Sequence, residues 1–260
     1  MLAEERRRMI LSLLEKNGSV RTQELAQRFG VSDQTIRRDF WELEDQGLVD
    51  KGHGGAVLVN YHTVPYRDRA VLRQAEKLAI AGVAASLATP GMTVALGPGT
   101  TTEAVAHRLN GVALHILTNS VVVARAVTQT VTKVSLTGGQ YRPGSELVTG
   151  DWSRENLETC FVDLAFVGVS GIGAEEGYTV TQDDEAAVLR GFIRIAKTAV
   201  VVSDSSKFGR VGKASVAPLG AVHKLMTDLG IAAADREMLL EKGVDVVTAA
   251  PDRVAEGTLS

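Results

Sequence analysis

Apolar and polar positions follow two different rhythms along this chain. Over the first fifty residues, apolar side chains recur three and four positions apart, which places them on one face of an α-helix. The pattern predicts three short helices, the first ending at Gly18, the second over residues 22–29 and the third over residues 33–46. We expect Thr22 and Ser32 to cap the second and third helices, because a hydroxyl oxygen can accept a hydrogen bond from a first-turn N–H.

Residues 48–59, LVDKGHGGAVLV, predict two short strands around a glycine-rich tip. Gly30 supplies a tight turn between the second and third helices. Three helices with a tight turn before the third, followed by a two-stranded wing, form the layout of a winged helix-turn-helix. We therefore predict such a domain over residues 1–57, and a linker with the start of a connecting helix over residues 58–75.

The rhythm changes in the rest of the chain. A long helix is predicted over residues 69–87, and apolar strands then alternate with amphipathic helices to about residue 250. Seven strands are predicted, in the segments MTVALG, HILTN, KVSLTGG, VDLAFVGVSG, TAVVVSD, KLMTD and DVVTA. Strands that alternate with helices indicate a mostly parallel sheet covered on both faces. The sequence thus predicts an α/β domain over residues 76–250.

Composition narrows the class of protein further. A net charge of −3 over 260 residues creates no general attraction to nucleic acids or membranes. The single cysteine, Cys160, rules out an intrachain disulfide and fits a reducing cytoplasm. No apolar run has the length of a signal-peptide core or a membrane span, and the five histidines show no metal-ligand spacing. We expect a cytoplasmic protein with no membrane partner, no metal and no other cofactor.

The exposed side of the third predicted helix holds the candidate DNA contacts. If Ile36, Phe40 and Leu43 face the core, the polar residues near the start of this helix point outward, at about 100° per residue. Arginine and glutamine can each make two hydrogen bonds to a base edge, while hydroxyl and lysine groups suit phosphates. The candidate DNA-contacting residues are Arg21, Ser32, Gln34, Thr35, Arg37, Arg38, Lys51 and His53.

An ordinary solvated helix face is the alternative interpretation. Paired arginines on a helix often face water alone, and Arg38 could pair with Glu42 one turn later. Residues 1–57 carry nine Lys or Arg and ten Asp or Glu, a net charge of −1, whereas DNA-binding domains usually have a basic surface. The pattern of residues by itself leaves both interpretations open.

Residues 6–56 resemble the DNA-binding domain of DeoR-type transcriptional regulators. The motifs that carry the resemblance are ELA, VSxxTIRRD, LExxGL and HGGA, at the expected spacing. The resemblance implies a regulator that binds double-stranded DNA, with repression as the family expectation. It also implies a homo-oligomer, a dimer or tetramer, that places paired winged helices in successive major grooves. A winged helix that binds protein instead of DNA is a weaker alternative.

A glycine- and threonine-rich turn joins a predicted strand directly to a helix in residues 91–109, GMTVALGPGTTTEAVAHRL. Glycines let a ligand approach the backbone, and a helix N-terminus offers unpaired N–H groups that favour an anion. A tight packing turn can have the same composition, and the P-loop and dinucleotide-binding patterns are both missing. Further polar residues follow other predicted strands, where parallel sheets bind ligands, although each could be a simple cap or turn residue.

The stretch from Glu76 to Asp228 resembles the sensor domain of the same regulators. The matching segments are KLAIAGVAASL, GPGTT, ILTNS, LTGGQYRPGSELVTG, DLAFVGVSGI, DEAAVLR and SDSSKFGR. That domain is similar in fold to ribose-5-phosphate isomerase and glucosamine-6-phosphate deaminase, which implies a phosphorylated sugar as effector. By this match Lys77 and the glycine-rich turn would hold the phosphate, although Pro98 removes one N–H donor from the turn. The implied effector-binding residues are Lys77, Gly97, Gly99, Thr100, Thr101, Thr102, Asn119, Gly138, Gly139, Asp163, Glu185 and Lys207.

A sugar-phosphate isomerase-like enzyme with an appended helix-turn-helix is the alternative function. The isomerase pattern D-G-A-D-E has two aspartates three positions apart and a lysine in a later glycine-rich loop. In the corresponding stretch here, Asp163 is followed three positions later by Phe166, and the loop SGIGAEEG has no lysine. Isomerisation requires a carboxylate base and groups that stabilise the enediolate. We therefore expect binding without turnover and assign no catalytic residue.

Overall fold

The computed structural model describes residues 2–45, 49–52, 54–58 and 66–251. The chain divides into two compact units between Arg73 and Gln74. The first unit is a winged helix-turn-helix and the second is an α/β unit with a parallel sheet, so the predicted fold class is confirmed. The predicted end of the third helix at residues 46–47 and part of the predicted linker, residues 59–65, lie outside the described residues.

The described residues of the first unit form four helices and three short strands. They are α1 (Ala3–Asn17), β1 (Ser19–Arg21), α2 (Thr22–Phe29), α3 (Asp33–Asp45), β2 (Val49–Gly52), β3 (Gly55–Leu58) and α4 (Tyr66–Val71). The strands form an antiparallel sheet in the order β1-β3-β2. The two wing strands were predicted, whereas β1 was not, because three residues are too few for a period-two pattern.

The core of the first unit lies between α1 and α3. Ile10 and Leu14 on α1 are fully buried, as are Ile36 and Leu43 on α3 beside Phe40. The predicted inner face of the third helix is therefore confirmed. Each of these side chains contributes roughly 1.5–3 kcal/mol by leaving water.

The structure confirms one predicted cap and corrects the other. The backbone N–H of Thr35 donates to Ser32 Oγ at 3.2 Å, so Ser32 caps α3. Thr22, in contrast, is the first residue of α2 and not its cap. Its N–H donates to the carbonyl oxygen of Gly54 at 2.9 Å, because β1 runs directly into the helix and brings Thr22 beside the wing tip. Gly30 makes the predicted turn with a left-handed backbone, φ +64°.

The predicted helix over residues 69–87 is wrong as a single element. The structure has α4 and a separate helix α5 (Gln74–Ala85), divided by a turn at Leu72 and Arg73. Arg73 has φ +50°, a left-handed conformation that no α-helix can pass through. Leu72 is buried in the core of the first unit, which explains why the helical pattern continues through residues that are not helical.

The second unit is built on a seven-stranded sheet. Its strands are β4 (Thr93–Leu96), β5 (His115–Thr118), β6 (Lys133–Leu136), β9 (Val162–Val167), β12 (Ala196–Val202), β14 (Lys224–Asp228) and β15 (Asp245–Ala249). All neighbouring strands are parallel, in the order β15-β14-β12-β9-β4-β5-β6. Each of the seven predicted strand segments coincides with one of these strands, although β12 begins two residues before its segment.

The other elements of the second unit cover or extend this sheet. The helices are α5 together with α6 (Thr100–Leu109), α7 (Val121–Ala126), α8 (Asp151–Glu158), α9 (Asp183–Ile195) and α10 (Ala233–Glu241). A hairpin joins β7 (Gln140–Arg142) to β8 (Leu147–Thr149), and a small antiparallel sheet contains β10 (Gly171–Gly173), β11 (Gly177–Val180) and β13 (Ala214–Ala217). None of these five short strands was predicted.

Both faces of the large sheet are buried. Along β9, Leu164 and Phe166 belong to one hydrophobic core, while Ala165 and Val167 belong to the other. Successive side chains of a strand point to opposite faces, so the sheet separates two cores. The two-sided cover predicted from alternating strands and helices is confirmed.

The strand order places a crevice beside β4. The chain passes from β4 outward to β5 and β6, and then returns to β9 on the other side of β4. Such a reversal opens a crevice at the carboxyl ends of the two strands, where open α/β sheets bind ligands. Here the crevice lies between the turn after Leu96 and the turn after Val167.

Candidate functional site

The outward face of α3 is polar and exposed. Gln34, Arg37 and Arg38 are exposed, on the side opposite the buried Ile36 and Phe40. Near the start of the helix, the hydroxyl groups of Ser32 and Thr35 form a hydrogen bond of 2.9 Å. The structure therefore brings these five predicted DNA-contacting residues onto one surface. Of the other predicted contacts, Arg21 is exposed at the end of β1 and His53 lies outside the described residues.

A buried ion pair fixes α3 against α1. Arg6 Nε donates to Asp39 Oδ2 at 2.5 Å, and Arg6 Nη2 donates to Asp39 Oδ1 at 3.1 Å. Both side chains are less than 10% exposed. The hydrogen bond to Asp39 raises the pKa of the Arg6 guanidinium. Because Asp39 directly follows Arg38, this two-point contact fixes which way Arg38 points.

Sequence reasoning missed this pair. The run of two arginines and an aspartate looks like three solvated charges, and the partner of Asp39 lies 33 residues away. The alternative partner proposed for Arg38 is engaged elsewhere, since Glu42 Oε2 lies 3.6 Å from Arg7 Nη1.

The wing is attached to α3 through Lys51. The ammonium group of Lys51 lies 3.5 Å from the centre of the Trp41 ring and 2.5 Å from Glu44 Oε2. The hydrogen bond from Lys51 lowers the pKa of Glu44. Trp41 is 66% exposed, so this aromatic surface continues the polar face of α3. Sequence reasoning had Lys51 directed at a DNA phosphate, and it missed both Trp41 and Glu44.

The glycine-rich turn begins α6 at the crevice beside β4. Gly99, the residue before the helix, has φ +137°, which favours glycine, and its carbonyl oxygen accepts a hydrogen bond from Thr102 Oγ1 at 2.8 Å. A Cβ atom on Gly97 would lie 2.9 Å from Leu189 Cδ2. The N–H of Gly97 donates to the carbonyl oxygen of Phe166 at 2.9 Å, so the turn is attached to the end of β9. The N–H groups of the first turn of α6 therefore face the end of the sheet.

Asn119 lies next to this turn. Leu96 and Thr118 are paired in register, so Asn119 follows β5 at the level where Gly97 follows β4. Asn119 is fully buried, and its Nδ2 donates to the carbonyl oxygen of Val148 at 3.2 Å. Its Oδ1 has no hydrogen-bond partner among the described residues.

Two lysines among the predicted effector contacts are buried. Lys77 is 3% exposed on α5, a helix that packs against α6, and Lys207 is 5% exposed in a 3₁₀ turn that follows β12. Lysine ammonium groups are rarely buried, because they lose their hydration there. Thr101 and Thr102 are also buried in the first turn of α6.

Asp163 is the one predicted effector contact that the structure contradicts. It is the second residue of β9 and lies exposed at the opposite edge of the sheet, where its Oδ2 accepts a hydrogen bond from the N–H of Thr93 at 2.9 Å. Parallel strands begin at one edge and end at the other. Gly97 is four residue steps of about 3.3 Å each beyond Thr93, so Asp163 lies roughly 13 Å from the crevice. The carboxyl end of β9 is formed by Val167 and Gly168.

Gly138 and Gly139 have a visible packing role. They follow β6 with φ +77° and +116°, and a Cβ atom on Gly139 would collide with the carbonyl oxygen of Thr149 and the hydroxyl of Ser153. Ser153 Oγ in turn donates to the carbonyl oxygen of Gly138. These glycines allow the β7–β8 hairpin and α8 to approach the end of β6, and their contact with an effector stays a prediction.

The β7–β8 hairpin is held to the start of α9. Asp184 Oδ2 accepts from Arg142 Nη2 at 2.6 Å and from Thr149 Oγ1 at 3.0 Å. Glu185, a predicted effector contact, follows Asp184 in the first turn of the same helix. Sequence reasoning missed Arg142 and Asp184, although Arg142 stands in the quoted run LTGGQYRPGSELVTG.

Within the described ranges, no helix is both long and apolar enough to cross a lipid bilayer. The part of the chain that the structure describes also contains no group of three or more His, Cys, Asp or Glu side chains that could hold a metal ion.

The first unit is a winged helix that exposes arginines on one helix. The second is an α/β unit whose sheet ends in a turn suited to an anion. Together they define the class of ligand-responsive DNA-binding proteins. Comparison with known families agrees with this class. Residues 6–62 match the DeoR-like helix-turn-helix domain, and residues 72–229 match the DeoR C-terminal sensor domain. The chain belongs to the DeoR family of transcriptional regulators.

Relatives match over nearly the whole chain. The glycerol-3-phosphate regulon repressor of Escherichia coli K12 is 33% identical, covering 86% of this chain and 90% of its own. The HTH-type transcriptional repressor GlcR of Bacillus subtilis is 31% identical, with 97% and 98% coverage. The lactose phosphotransferase system repressor of Streptococcus mutans is 32% identical, with 88% and 93% coverage.

Among solved structures, ribose 5-phosphate isomerase A of Methanocaldococcus jannaschii aligns with 51% of this chain and 53% of its own, at 18% identity and a TM-score of 0.37. A translation initiation factor eIF-2B of Pyrococcus horikoshii aligns with 80% of this chain and 74% of its own, at 11% identity and a TM-score of 0.42.

Proposed function

We propose that this regulator represses carbohydrate-metabolism genes and that a phosphorylated sugar, bound in the second unit, changes its affinity for operator DNA. The observation that carries the proposal is the first turn of α6, where Gly97 and Gly99 open the backbone at the crevice beside β4. Two relatives are named as repressors of the glycerol-3-phosphate regulon and of the lactose phosphotransferase system, and a third is named as a transcriptional repressor. These names support the repressor role, and the first two support the class of effector.

The DNA-binding role rests on the exposed face of α3. In this interpretation the helix enters a major groove, with Gln34, Arg37 and Arg38 directed at base edges. Ser32, Thr35 and Arg21 are suited to the phosphates beside the groove. Lys51 would leave Glu44 to contact a DNA phosphate. Trp41, on α3 beside Lys51, would then lie close to the same DNA strand. A homo-oligomer, a dimer or tetramer, would present such helices in pairs, in the cytoplasm where the operator lies.

The effector role rests on the end of the sheet. We infer that the phosphate lies at the start of α6, near the hydroxyl groups of Thr100 and Thr101 and the ammonium group of Lys77. Asn119, Glu185 and Lys207 would then contact the sugar end, with Gly138 and Gly139 beside them. A sugar phosphate that binds one conformation more tightly shifts operator affinity by the difference in binding free energy.

Sensing, and not catalysis, is the activity that we assign to the second unit. Residues 164–174 after Asp163 contain no Asp, Glu, His or Lys, so the end of β9 offers no side chain for the base that isomerisation needs. The relatives named above are transcriptional repressors and not isomerases. Incubation with ribose 5-phosphate or glucosamine 6-phosphate is expected to give no turnover, and measurable isomerisation or deamination would refute the assignment.

Thermal unfolding in the presence of sugar phosphates tests the effector proposal. A compound that binds only the folded protein adds about 2.7 kcal/mol of stability at a concentration of 100 Kd. We expect at least one of ribose 5-phosphate, glucose 6-phosphate, fructose 6-phosphate and galactose 6-phosphate to raise Tm, and the unphosphorylated sugar to leave Tm unchanged. Equal responses to the sugar and its phosphate would contradict an anion site at α6.

A further inference from the structure

We propose that Asn119 selects effectors by accepting a hydrogen bond from a sugar hydroxyl, and that this contact orients the sugar with its phosphate away from Asn119. The inference rests on the proposed function, because it concerns the same crevice. It adds a requirement that no phosphate site imposes: the effector must carry an O–H or N–H donor about one strand spacing from the glycine-rich turn.

The side chain of Asn119 has one satisfied end and one unsatisfied end. Nδ2 donates to the carbonyl oxygen of Val148, while Oδ1 is buried without a partner among the described residues. A buried acceptor without a donor costs free energy, so natural structures rarely keep one without a reason. A ligand donor at this position would satisfy it.

The groups around Asn119 determine which branch of its side-chain amide is the oxygen and which is the nitrogen. If the oxygen and nitrogen were exchanged, an amide oxygen would face the carbonyl oxygen of Val148 at 3.2 Å, and two acceptors would oppose each other. The nitrogen therefore faces the β7–β8 hairpin, and the oxygen is on the branch of the amide turned away from it. Two backbone contacts hold the residue in this position: Val148 N donates to the Asn119 carbonyl oxygen at 2.7 Å, and Ser120 N donates to Thr118 Oγ1 at 3.0 Å.

The chemistry of the acceptor determines the orientation of the effector. An amide oxygen cannot accept a hydrogen bond from an ionised phosphate, which carries only acceptors at its charged oxygens. The phosphate therefore cannot satisfy Asn119 Oδ1, whereas the start of α6 offers N–H groups and threonine hydroxyls as donors. The phosphate is thus placed at α6, and the hydroxyl-bearing carbons face Asn119. The in-register pairing of Leu96 with Thr118 places these two contacts on adjacent strands, about 4.8 Å apart at the sheet.

A series of deoxy sugars tests this requirement on the unaltered protein. Isothermal titration of the full chain would use the four sugar phosphates named above, then every monodeoxy analogue of the one that binds most tightly. We expect one analogue to bind at least about tenfold more weakly than its parent, because the analogue lacks the hydroxyl that donates to Asn119 Oδ1. If every analogue binds as tightly as the parent, the inference is wrong.

A protein variant assigns the lost hydroxyl to Asn119. In Asn119→Leu the analogue and its parent are expected to bind with affinities within about twofold of each other, because no acceptor distinguishes them. Asn156→Leu is the matched control: Asn156 Nδ2 also donates to a backbone carbonyl, that of Thr137 at 2.8 Å, but the residue is exposed. The tenfold difference should persist in that control.

Three further outcomes overturn the inference. The first is a hydroxyl preference that is the same in Asn119→Leu as in the unaltered protein, and the second is a preference that disappears equally in Asn156→Leu. Asn119→Ala repeats the measurement if the leucine variant fails to fold, as judged by circular dichroism. The third outcome is that none of the four sugar phosphates binds the unaltered protein, which refutes the proposed function itself and the inference with it.

Discussion

Single residues decide how the recognition surface is presented. Arg6 and Asp39 form a buried, two-point ion pair between α1 and α3, directly beside the exposed Arg38. An arginine whose partner is removed keeps its charge in a place where water cannot reach it. The pair therefore makes the position of α3 sensitive to one carboxylate.

Replacing Asp39 by alanine is expected to destabilise the first unit by about 3–5 kcal/mol, because Arg6 is left buried and uncompensated. Urea unfolding, followed by the fluorescence of Trp41 in a Trp152→Phe background, measures the change. The double variant Arg6→Leu, Asp39→Leu should recover most of the loss, since replacing both charges by apolar groups is often nearly neutral. A loss below 1 kcal/mol in Asp39→Ala would contradict the importance of the pair.

Replacing Arg38 by alanine is expected to weaken operator binding by about 1–3 kcal/mol, roughly fivefold to 150-fold, without unfolding the protein. Arg8→Ala is the control, because Arg8 is exposed on α1 and pairs locally with Glu4. Fluorescence anisotropy with labelled operator at physiological salt measures both variants. Unchanged affinity in Arg38→Ala would reject the docking of α3 in the major groove.

The limits of the sequence are clearest at this scale. The outward face of α3 followed from helical periodicity alone, because buried and exposed positions repeat every 3.6 residues. The Arg6–Asp39 pair did not, because it depends on the distance between two helices. Asp163 was correctly placed in a strand but assigned to the wrong end of it, since a motif match fixes spacing and not the edge of the sheet.

At the scale of elements, the wing and α3 act as one surface. Lys51 from β2 contacts both Trp41 and Glu44 on α3, so the position of the wing depends on a cation, an aromatic ring and a carboxylate. The hydrogen bond from Lys51 lowers the pKa of Glu44. A carboxyl group with a lowered folded pKa contributes stability above its unfolded pKa, and this contribution is lost as the pH falls through the folded value.

The fluorescence of Trp41, again in the Trp152→Phe background, is expected to follow the protonation of Glu44 as the pH falls, because Lys51 contacts both side chains. The midpoint should lie below the ordinary value for a glutamic acid in the protein with Lys51, and should rise toward it in Lys51→Met. Both proteins must be checked by circular dichroism to remain folded over the range. The same midpoint in both would show that Lys51 does not hold Glu44.

Element boundaries were predictable only where the pattern was long enough. Six of the seven sheet strands carry two or more buried residues, β6 has two half-buried ones, and all seven were predicted. The strand β7 is exposed at each of its three residues, and so had no apolar pattern to reveal it. The break between α4 and α5 was hidden because Leu72 keeps the helical spacing of apolar residues while Arg73 turns the chain.

At the scale of the whole molecule, one chain carries both a DNA-binding unit and a sensing unit. The strand order that creates the crevice beside β4 could not be predicted, because the pairing of β4 with β9 brings together strands about 70 residues apart. Some of the residues beside the crevice could be predicted, since the glycine-rich turn and Asn119 both follow predicted strands. Burial of Lys77 and Lys207 emerged only from the packed structure.

Changing the anion site should separate the two functions of the chain. Thr100→Val removes a hydroxyl from the first turn of α6, and Lys77→Met removes the ammonium charge while keeping an unbranched chain. Both variants are expected to bind operator like the unaltered protein and to lose the response to the sugar phosphate. A variant that still responds would place the effector elsewhere.

The most direct test is the affinity for operator DNA with and without a saturating sugar phosphate, measured by anisotropy at fixed salt. The sugar phosphate is the one that raises Tm most, and calorimetry establishes that it occupies the protein. The account predicts a change of about 5- to 150-fold in operator Kd, as typical coupling free energies imply, and no change in Thr100→Val. An operator Kd that stays the same while the compound is bound to the unaltered protein would contradict the account.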